Sequence, residues 1–182
     1  DTYTSLTSFF EPSGKQSLVL YQAPDREVTY NVAQLNRSTP TFMRAPGETP
    51  GTFALECAMD EMAYQLKVDP LEFRIRNHAT KDPMNGHDFS SEFLIDCYRI
   101  GAEKFGWSSR SMEPRQKRNG KYLVGYGMAT ATYPGGRSAA SVKVLMTAKG
   151  DVTVMTASID IGTGTYTVLA QTVADALGVP VD

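Results

Sequence analysis

The residues best suited to chemistry fall in two glycine-bearing loops that lie far apart along the 182-residue chain. Gly162-Thr163-Gly164 follows an expected strand and opens an expected helix. A small-residue junction of that kind leaves unpaired backbone amides pointing outward, the arrangement that receives a phosphate or another anion. The alternative is that these glycines serve only a tight turn and close packing. A dinucleotide site is a poor match, because position 167 is Thr where the Rossmann fingerprint has Gly. The other loop is Arg44-Ala45-Pro46-Gly47-Glu48-Thr49-Pro50-Gly51, in which a lone Arg precedes two glycines and two prolines leading into a helix. So stiff a loop holds one geometry and costs little entropy when a ligand binds, and an Arg beside free helix-start amides would form a second anion site. Its alternative is a well-capped helix with an exposed Arg.

Other constellations give less. His78 and His87 are far in sequence from Cys57 and Cys97, and no Cys or His pair has zinc-site spacing, so no structural zinc is expected. There is no Gly-x-Ser-x-Gly elbow and no Gly-x-x-x-x-Gly-Lys. Glu56 and Asp60 stand four apart on the polar side of a helix, and like charges at that spacing read as a solvated face, not a catalytic pair. The two cysteines fall on apolar helix stripes and read as reduced core residues.

Elements with strong local signals must position the two loops. Leu18–Tyr21 and Val28–Leu35 read as strands. Thr49-Pro50 opens a helix, with Thr as cap and Pro at the first helical position, that would bury Ala54, Leu55, Ala58, Met59, Met62, Ala63 and Leu66. Asp69-Pro70-Leu71-Glu72 starts a second helix running to about Asn77. A third, with Phe93, Leu94, Cys97, Ile100 and Phe105 inward, ends at Gly106. Arg110–Lys121 is a polar stretch read as a solvated connector. Strands are expected at Tyr122–Thr132, Ser141–Thr147 and Val152–Ile159, the last two joined by a Lys149-Gly150-Asp151 turn. A closing helix with Val168, Leu169, Val173, Ala176 and Leu177 on one face stops at Gly178. The expected fold is mixed α/β (α+β), with mixed strands and about four helices. Its expected organisation is residues 1–48 as strands and first loop, 49–106 as helices, 107–121 as connector, and 122–182 as strands, hairpin and closing helix.

Eighteen basic against twenty acidic residues leave a net charge of −2, with no electrostatic pull toward nucleic acid or anionic lipid. No apolar run approaches the roughly 20 residues of a membrane-spanning helix. Because it opens on Asp1 and stops just after a helix ends, the chain reads as an excerpt of a longer polypeptide. An excerpt should expose an apolar patch and self-associate, for instance as a homodimer, whereas a complete module should not.

At the two loops the sequence resembles a known family. Thr39-Pro40-Thr41-Phe42-Met43-Arg44-Ala45-Pro46-Gly47, then Phe53–Glu61 and Pro70–Asn77, then Ile159-Asp160-Ile161-Gly162-Thr163-Gly164-Thr165-Tyr166-Thr167 with Gln171, are similar to the molybdopterin-binding large subunit of the molybdenum hydroxylases, the xanthine dehydrogenase and aldehyde oxidase family. The resemblance spans about residues 20 to 182. It implies that Met43 and Arg44 line the molybdenum centre and its pterin, and that Gly162, Thr163 and Gly164 hold the pterin and its phosphate through backbone amides. It also implies a molybdopterin cofactor in its cytosine dinucleotide form, and partner subunits or domains carrying iron–sulfur clusters and FAD.

Two positions depart from the xanthine-oxidising branch and resemble the bacterial aldehyde-oxidising one. Pro46 stands where an aromatic residue stacks on the substrate, and Thr163 stands where the second loop has Gln. The implied activity of the parent is oxidation of an aldehyde, or of an N-heterocycle, with water-derived oxygen. The family's catalytic base is a Glu in a Gly-rich motif near the subunit's C-terminus. No such motif occurs in these residues, so no catalytic residue is assigned here and the excerpt alone is expected to be inactive. The expected compartment is the cytoplasm, with the periplasm as alternative, and the remainder of the large subunit is the expected partner. A non-catalytic anion-binding module and a purely structural piece remain the other readings.

Overall fold

The computed structural model describes residues 10–181 apart from Gln34, Arg37, Thr39, Pro134 and Arg137. The turn-rich start through residue 9 and Thr39 of the first loop motif therefore lie outside the described residues. The chain forms two compact units, Asp1–Pro134 and Gly135–Asp182. The class is mixed α+β: among the described residues there are five α-helices and two small antiparallel sheets.

The first unit is built from helices. α1 (Lys15–Val19) covers part of the stretch expected to be a strand. Leu20 continues the helical pattern by donating to the Gln16 carbonyl, and Tyr21 forms only an isolated bridge with His78. Val28–Leu35 likewise pairs with nothing among its described residues and is no strand. A strand exists by its partner's hydrogen bonds; without a ladder partner Leu18 and Val19 take the locally bonded helical turn, and the described residues of 28–35 take no regular structure.

α2 (Glu48–Gln65) begins one residue before the expected Thr cap. Gly47, at φ 80°, precedes it, so Thr49 and Pro50 sit inside the first turn. α3 (Pro70–Arg76) follows its sequence signal: Asp69 Oδ1 accepts from the amides of Leu71 at 2.8 Å and Glu72 at 3.3 Å, with Pro70 in the first turn. α4 (Leu94–Phe105) stops at Gly106, whose left-handed φ of 72° closes the helix. β1 (Arg118–Asn119) and β2 (Tyr122–Leu123) form a short ribbon. The remainder of the expected Tyr122–Thr132 strand has no ladder partner among the described residues, although Val124, Tyr126, Met128 and Thr130 still alternate inward with period two.

The inward faces match the expected ones only in part: Ala63 is buried and Leu55 and Met59 are half-buried as expected. On α2, Glu48, Gly51, Glu56 and Ala63 are buried, while Ala54, Ala58, Met62, Leu66 and Cys57 are exposed. On α4 the buried residue is Tyr98, and Phe93, Cys97, Ile100 and Phe105 face solvent. Both cysteines are free thiols, but neither is a core residue. The apolar stripes are real in the sequence; no described element covers them.

What fills the centre of this unit is polar. Arg74, wholly buried, directs Nε to Glu56 Oε2 at 2.8 Å and Nη1 to Asp60 Oδ1 at 2.7 Å. The same guanidinium donates to the carbonyls of Glu56 and Pro70. Glu56 Oε1 accepts from the Tyr21 hydroxyl at 2.6 Å, and its Oε2 accepts from the Thr130 amide at 2.8 Å. The Tyr98 and Tyr21 hydroxyls both meet Thr130 Oγ1. Glu56 and Asp60 are thus no solvated face. The two acidic side chains, four apart, are held together by one cation from the next helix, and Glu56 alone ties together α2, α3, Tyr21 and the 124–130 segment. Arg110 is not a solvated connector residue either: it lies 4.2 Å over the Trp107 ring and donates to the Tyr64 hydroxyl at 2.7 Å.

Burial pushes the Tyr21 phenol up, reinforced by its bond to Glu56, and burial raises Tyr98 as well. Above the ordinary phenol value of 10.0 the unfolded chain releases protons that the folded chain keeps, so stability is full below that pH and falls as pH rises. The expected slope is roughly 1.4 kcal/mol per pH unit for each phenol that stays protonated. Urea midpoints taken from about pH 9 to 11 should decline more steeply for the wild type than for Tyr21→Phe; equal slopes would contradict this role of Tyr21.

In the second unit β3 (Lys143–Met146) and β4 (Val152–Met155) pair antiparallel with Met146 opposite Val152. The expected turn closes them: Thr147 Oγ1 accepts from the amides of Lys149 and Asp151, and Gly150 takes φ 94°. α5 (Thr165–Leu177) contacts β4, buries Ala174 with Leu169, Ala170 and Val173 beside it, and ends at Gly178, φ 68°. Val168 and Leu177, expected inward, are exposed.

Candidate functional site

The first loop is shaped from behind. Gly47 and Gly51 sit against the backbone of residues 12 and 13: a Cβ on Gly51 would fall 2.0 Å from the Ser13 carbonyl oxygen, and one on Gly47 would fall 2.8 Å from the Pro12 carbonyl carbon. Only glycine permits this approach, and Gly47 also needs its positive φ. The Gly47 amide donates to Glu11 Oε2 at 3.2 Å, and Ala45 is held at φ 60°. The amides of Thr49 and Gly51 donate to the carbonyls of Ala45 and Gly47. The helix-start amides expected to accompany Arg44 are therefore already bonded at Gly47, Thr49 and Gly51. What the loop does offer is its side chains. Met43 is 79% exposed. Arg44 is exposed too and makes no hydrogen bond or ion pair among the described residues. Pro46, two residues on, is half-buried.

The second loop lies in the other unit. Its amides are not unpaired, contrary to expectation. One oxygen, Asp160 Oδ1, accepts from Gly162 at 2.7 Å, Thr163 at 2.9 Å and Gly164 at 3.3 Å. The Gly162 amide above all, helped by those of Thr163 and Gly164, holds the Asp160 carboxyl below its ordinary value of 3.8. Gly162 and Gly164 adopt φ 96° and 75°, and a Cβ on either would meet nothing within 4 Å. They are glycines for their dihedral angles, not to let a neighbour approach. Thr163 Oγ1 lies 2.8 Å from Thr165 Oγ1.

A phosphate-bearing cofactor fits these loops unequally. The guanidinium of Arg44, unpaired among the described residues, suits an anion or a polar oxygen. The amides of the Gly162–Gly164 turn do not, because a carboxylate of the chain already occupies them. Sequence reasoning missed Asp160, although an Asp two residues before a Gly is the ordinary signal of a side chain closing its own turn. Among the described residues no group of three or more His, Cys, Asp or Glu side chains is arranged to hold a metal ion, and no helix is long and apolar enough to cross a membrane.

Two family models, each described as a molybdopterin cofactor-binding domain, match residues 3–78 and 100–182. The aldehyde oxidoreductase molybdenum-binding subunit of Escherichia coli is 44% identical over 173 residues, which cover 94% of this chain and 24% of that protein. The putative xanthine dehydrogenase molybdenum-binding subunit of the same organism is 35% identical over 182 residues, covering 96% of this chain and 24% of that protein. The nicotine 6-hydroxylase large subunit of Paenarthrobacter nicotinovorans is 30% identical over 180 residues, covering 88% and 22%. The chain spans about a quarter of the length of the curated relatives it matches.

Proposed function

The chain belongs to the molybdopterin-binding subunits of the xanthine dehydrogenase and aldehyde oxidase family, and from that premise we propose that it is part of a longer subunit that oxidises aldehydes with oxygen derived from water. The observation that carries the reading is the 44% identity to the aldehyde oxidoreductase subunit, in a match that covers 94% of the chain. Exposed apolar side chains such as Phe53 and Met62 on α2, and Phe93, Ile100 and Phe105 on α4, favour a chain that packs against more of its own subunit. They weigh against a free-standing anion-binding module.

When bound, the molybdenum–pterin group supplies the centre at which the substrate is oxidised. The chain's own residues bind and orient. Arg44 directs a forked, permanently charged donor at polar oxygens of the bound group, from a loop whose geometry is set by Gly47 and Gly51 against residues 12 and 13. Met43, exposed on the same loop, stands beside Arg44 at the bound group. Pro46 presents a small, rigid surface toward the substrate that stacks on no purine ring. Thr163 presents its hydroxyl from the second loop, between the two glycines that shape the turn. The reading includes the cytosine dinucleotide form of the cofactor, iron–sulfur and FAD partners to receive electrons, and a cytoplasmic or periplasmic complex. Oxidation of an N-heterocycle is the second reading, favoured by the 30% identity to a subunit named for nicotine hydroxylation.

The test is turnover by the full-length subunit with its partners. Aldehydes are expected to be oxidised faster than purines, and the reverse order would contradict the substrate assignment. The 182 residues alone, supplied with cofactor, are expected to show no turnover, because no catalytic base is assigned within them; measurable activity would contradict that.

A further inference from the structure

We propose that the cavity framed by Tyr64 of α2, residues 110–117 and residues 124–126 is a binding site for a phosphate group carried by a small molecule. It lies within the first unit, and no residue of either glycine-bearing loop lines it. The proposal therefore goes beyond the cofactor reading and does not depend on it. The cavity has a volume of about 230 Å³. Sites for drug-sized ligands run to roughly 300–1,000 Å³, so this one suits a phosphate or a short phosphate ester and is too small for a dinucleotide. Arg110, Arg115 and Lys117 line it against a single acidic residue, Glu113, which makes no ion pair with them among the described residues.

The central cation is built in before any ligand arrives. The Arg110 side chain is only 5% exposed, its guanidinium lies 4.2 Å over the Trp107 ring, and Nη2 donates to the Tyr64 hydroxyl at 2.7 Å. Packing has already fixed its rotamer, so an anion meets it without the ordering cost that a free surface side chain incurs. Its charge is matched only loosely: Nη1 stands 3.4 Å from Asp69 Oδ2, and that carboxylate also accepts from the Trp107 indole and caps α3. Two of the five guanidinium N–H donors are used among the described residues. Lys117 is placed as well. The Val124 amide donates to the Lys117 carbonyl at 3.0 Å, which continues the β1–β2 ribbon, and Lys117 Nζ donates to the Tyr126 hydroxyl. The phenols of Tyr64 and Tyr126 each accept from a cation, and neither donates to a described residue, so both keep a proton for an incoming acceptor. A cavity with this surplus of donors and positive charge calls for a group that is multiply negative and accepts through several oxygens. A phosphate ester, with close to two charges at neutral pH and three terminal oxygens, matches it better than a lone carboxylate.

The experiment is amide hydrogen exchange over residues 110–126 of the full-length subunit with its partners, titrated with inorganic phosphate. Chloride at matched ionic strength and acetate form two separate arms. Phosphate should slow exchange at residues 111–117 and 124–126, while chloride should not and acetate should act only at much higher concentration. Arg115→Gln and Lys117→Gln, at exposed positions that a melting curve can show to be folded, should each raise the phosphate concentration needed by about tenfold, and the double variant by roughly a hundredfold. Three results would overturn the proposal: no protection of the wild type, as when an acidic segment from elsewhere in the subunit fills the cavity; equal protection by chloride or acetate; or protection undiminished in the folded double variant.

Discussion

Replacing Arg74 with methionine is expected to destabilise the first unit by about 3–5 kcal/mol, a large fraction of the roughly 5–15 kcal/mol that holds a domain folded. The guanidinium is wholly buried and bonds two carboxylates and two carbonyls. Methionine fills much of the volume but leaves Glu56, only 4% exposed, without the cation that offsets its desolvation. Lysine should rescue little, because a single ammonium cannot reach Glu56 and Asp60 in the fork that arginine makes. Pairing Arg74→Met with Glu56→Gln should cost less than the sum of the two changes, since the second removes the charge that the first strands. Denaturant midpoints at constant slope check all four variants, Glu56→Gln alone included. A loss below 1 kcal/mol for Arg74→Met would mean that the network does not organise this unit.

Arg44→Ala is expected to act in the opposite way, on the cofactor and not on the fold. Exposed and unpaired among the described residues, Arg44 should change unfolding stability by no more than about 0.5 kcal/mol when truncated. A charge-assisted bond from its guanidinium to the bound group contributes about 1.5–3 kcal/mol, so retention of molybdenum and pterin should weaken by roughly tenfold to a hundredfold. Arg44→Lys should fall between, keeping the charge and losing the fork. Cofactor content measured beside a melting curve separates the outcomes. A variant that melts early would give Arg44 a structural role, and one that keeps its full cofactor content would remove Arg44 from the site.

The contrast between these two arginines marks how far the sequence could be read. Elements announced by local chemistry appear where expected: Asp69-Pro70 starts α3, Gly106 and Gly178 stop α4 and α5 at left-handed φ, and Lys149-Gly150-Asp151 turns the β3–β4 hairpin. Elements that depend on a neighbour do not. Leu18–Tyr21 carries strand-like composition but pairs only through the single Tyr21–His78 bridge, Val28–Leu35 has no ladder partner among its described residues, and Tyr122–Thr132 pairs only through Tyr122 and Leu123.

Burial was harder to read than secondary structure, because α2 carries two candidate inward faces on nearly opposite sides of the helix. The apolar one, with Ala54, Ala58 and Met62, is exposed, and the one with Glu56 and Ala63 is buried. The signal for the latter was present: two acidic residues four apart followed, in the next helix, by an arginine. Periodicity weighs hydrophobicity and has no way to pair charges across helices. The same limit hid Asp160. A glycine-rich turn before a helix reads as an open anion site until the acidic residue two positions upstream is given its own bonds.

The most direct test of the central claim is the molybdenum and pterin content of the full-length wild-type subunit purified from a host that makes the cofactor. Membership of this family, with Arg44 exposed on a loop shaped by Gly47 and Gly51, predicts that molybdenum and pterin co-purify with the folded subunit in equal amounts. A well-folded subunit that carries neither would contradict the account, and the two loops would then be ordinary helix starts.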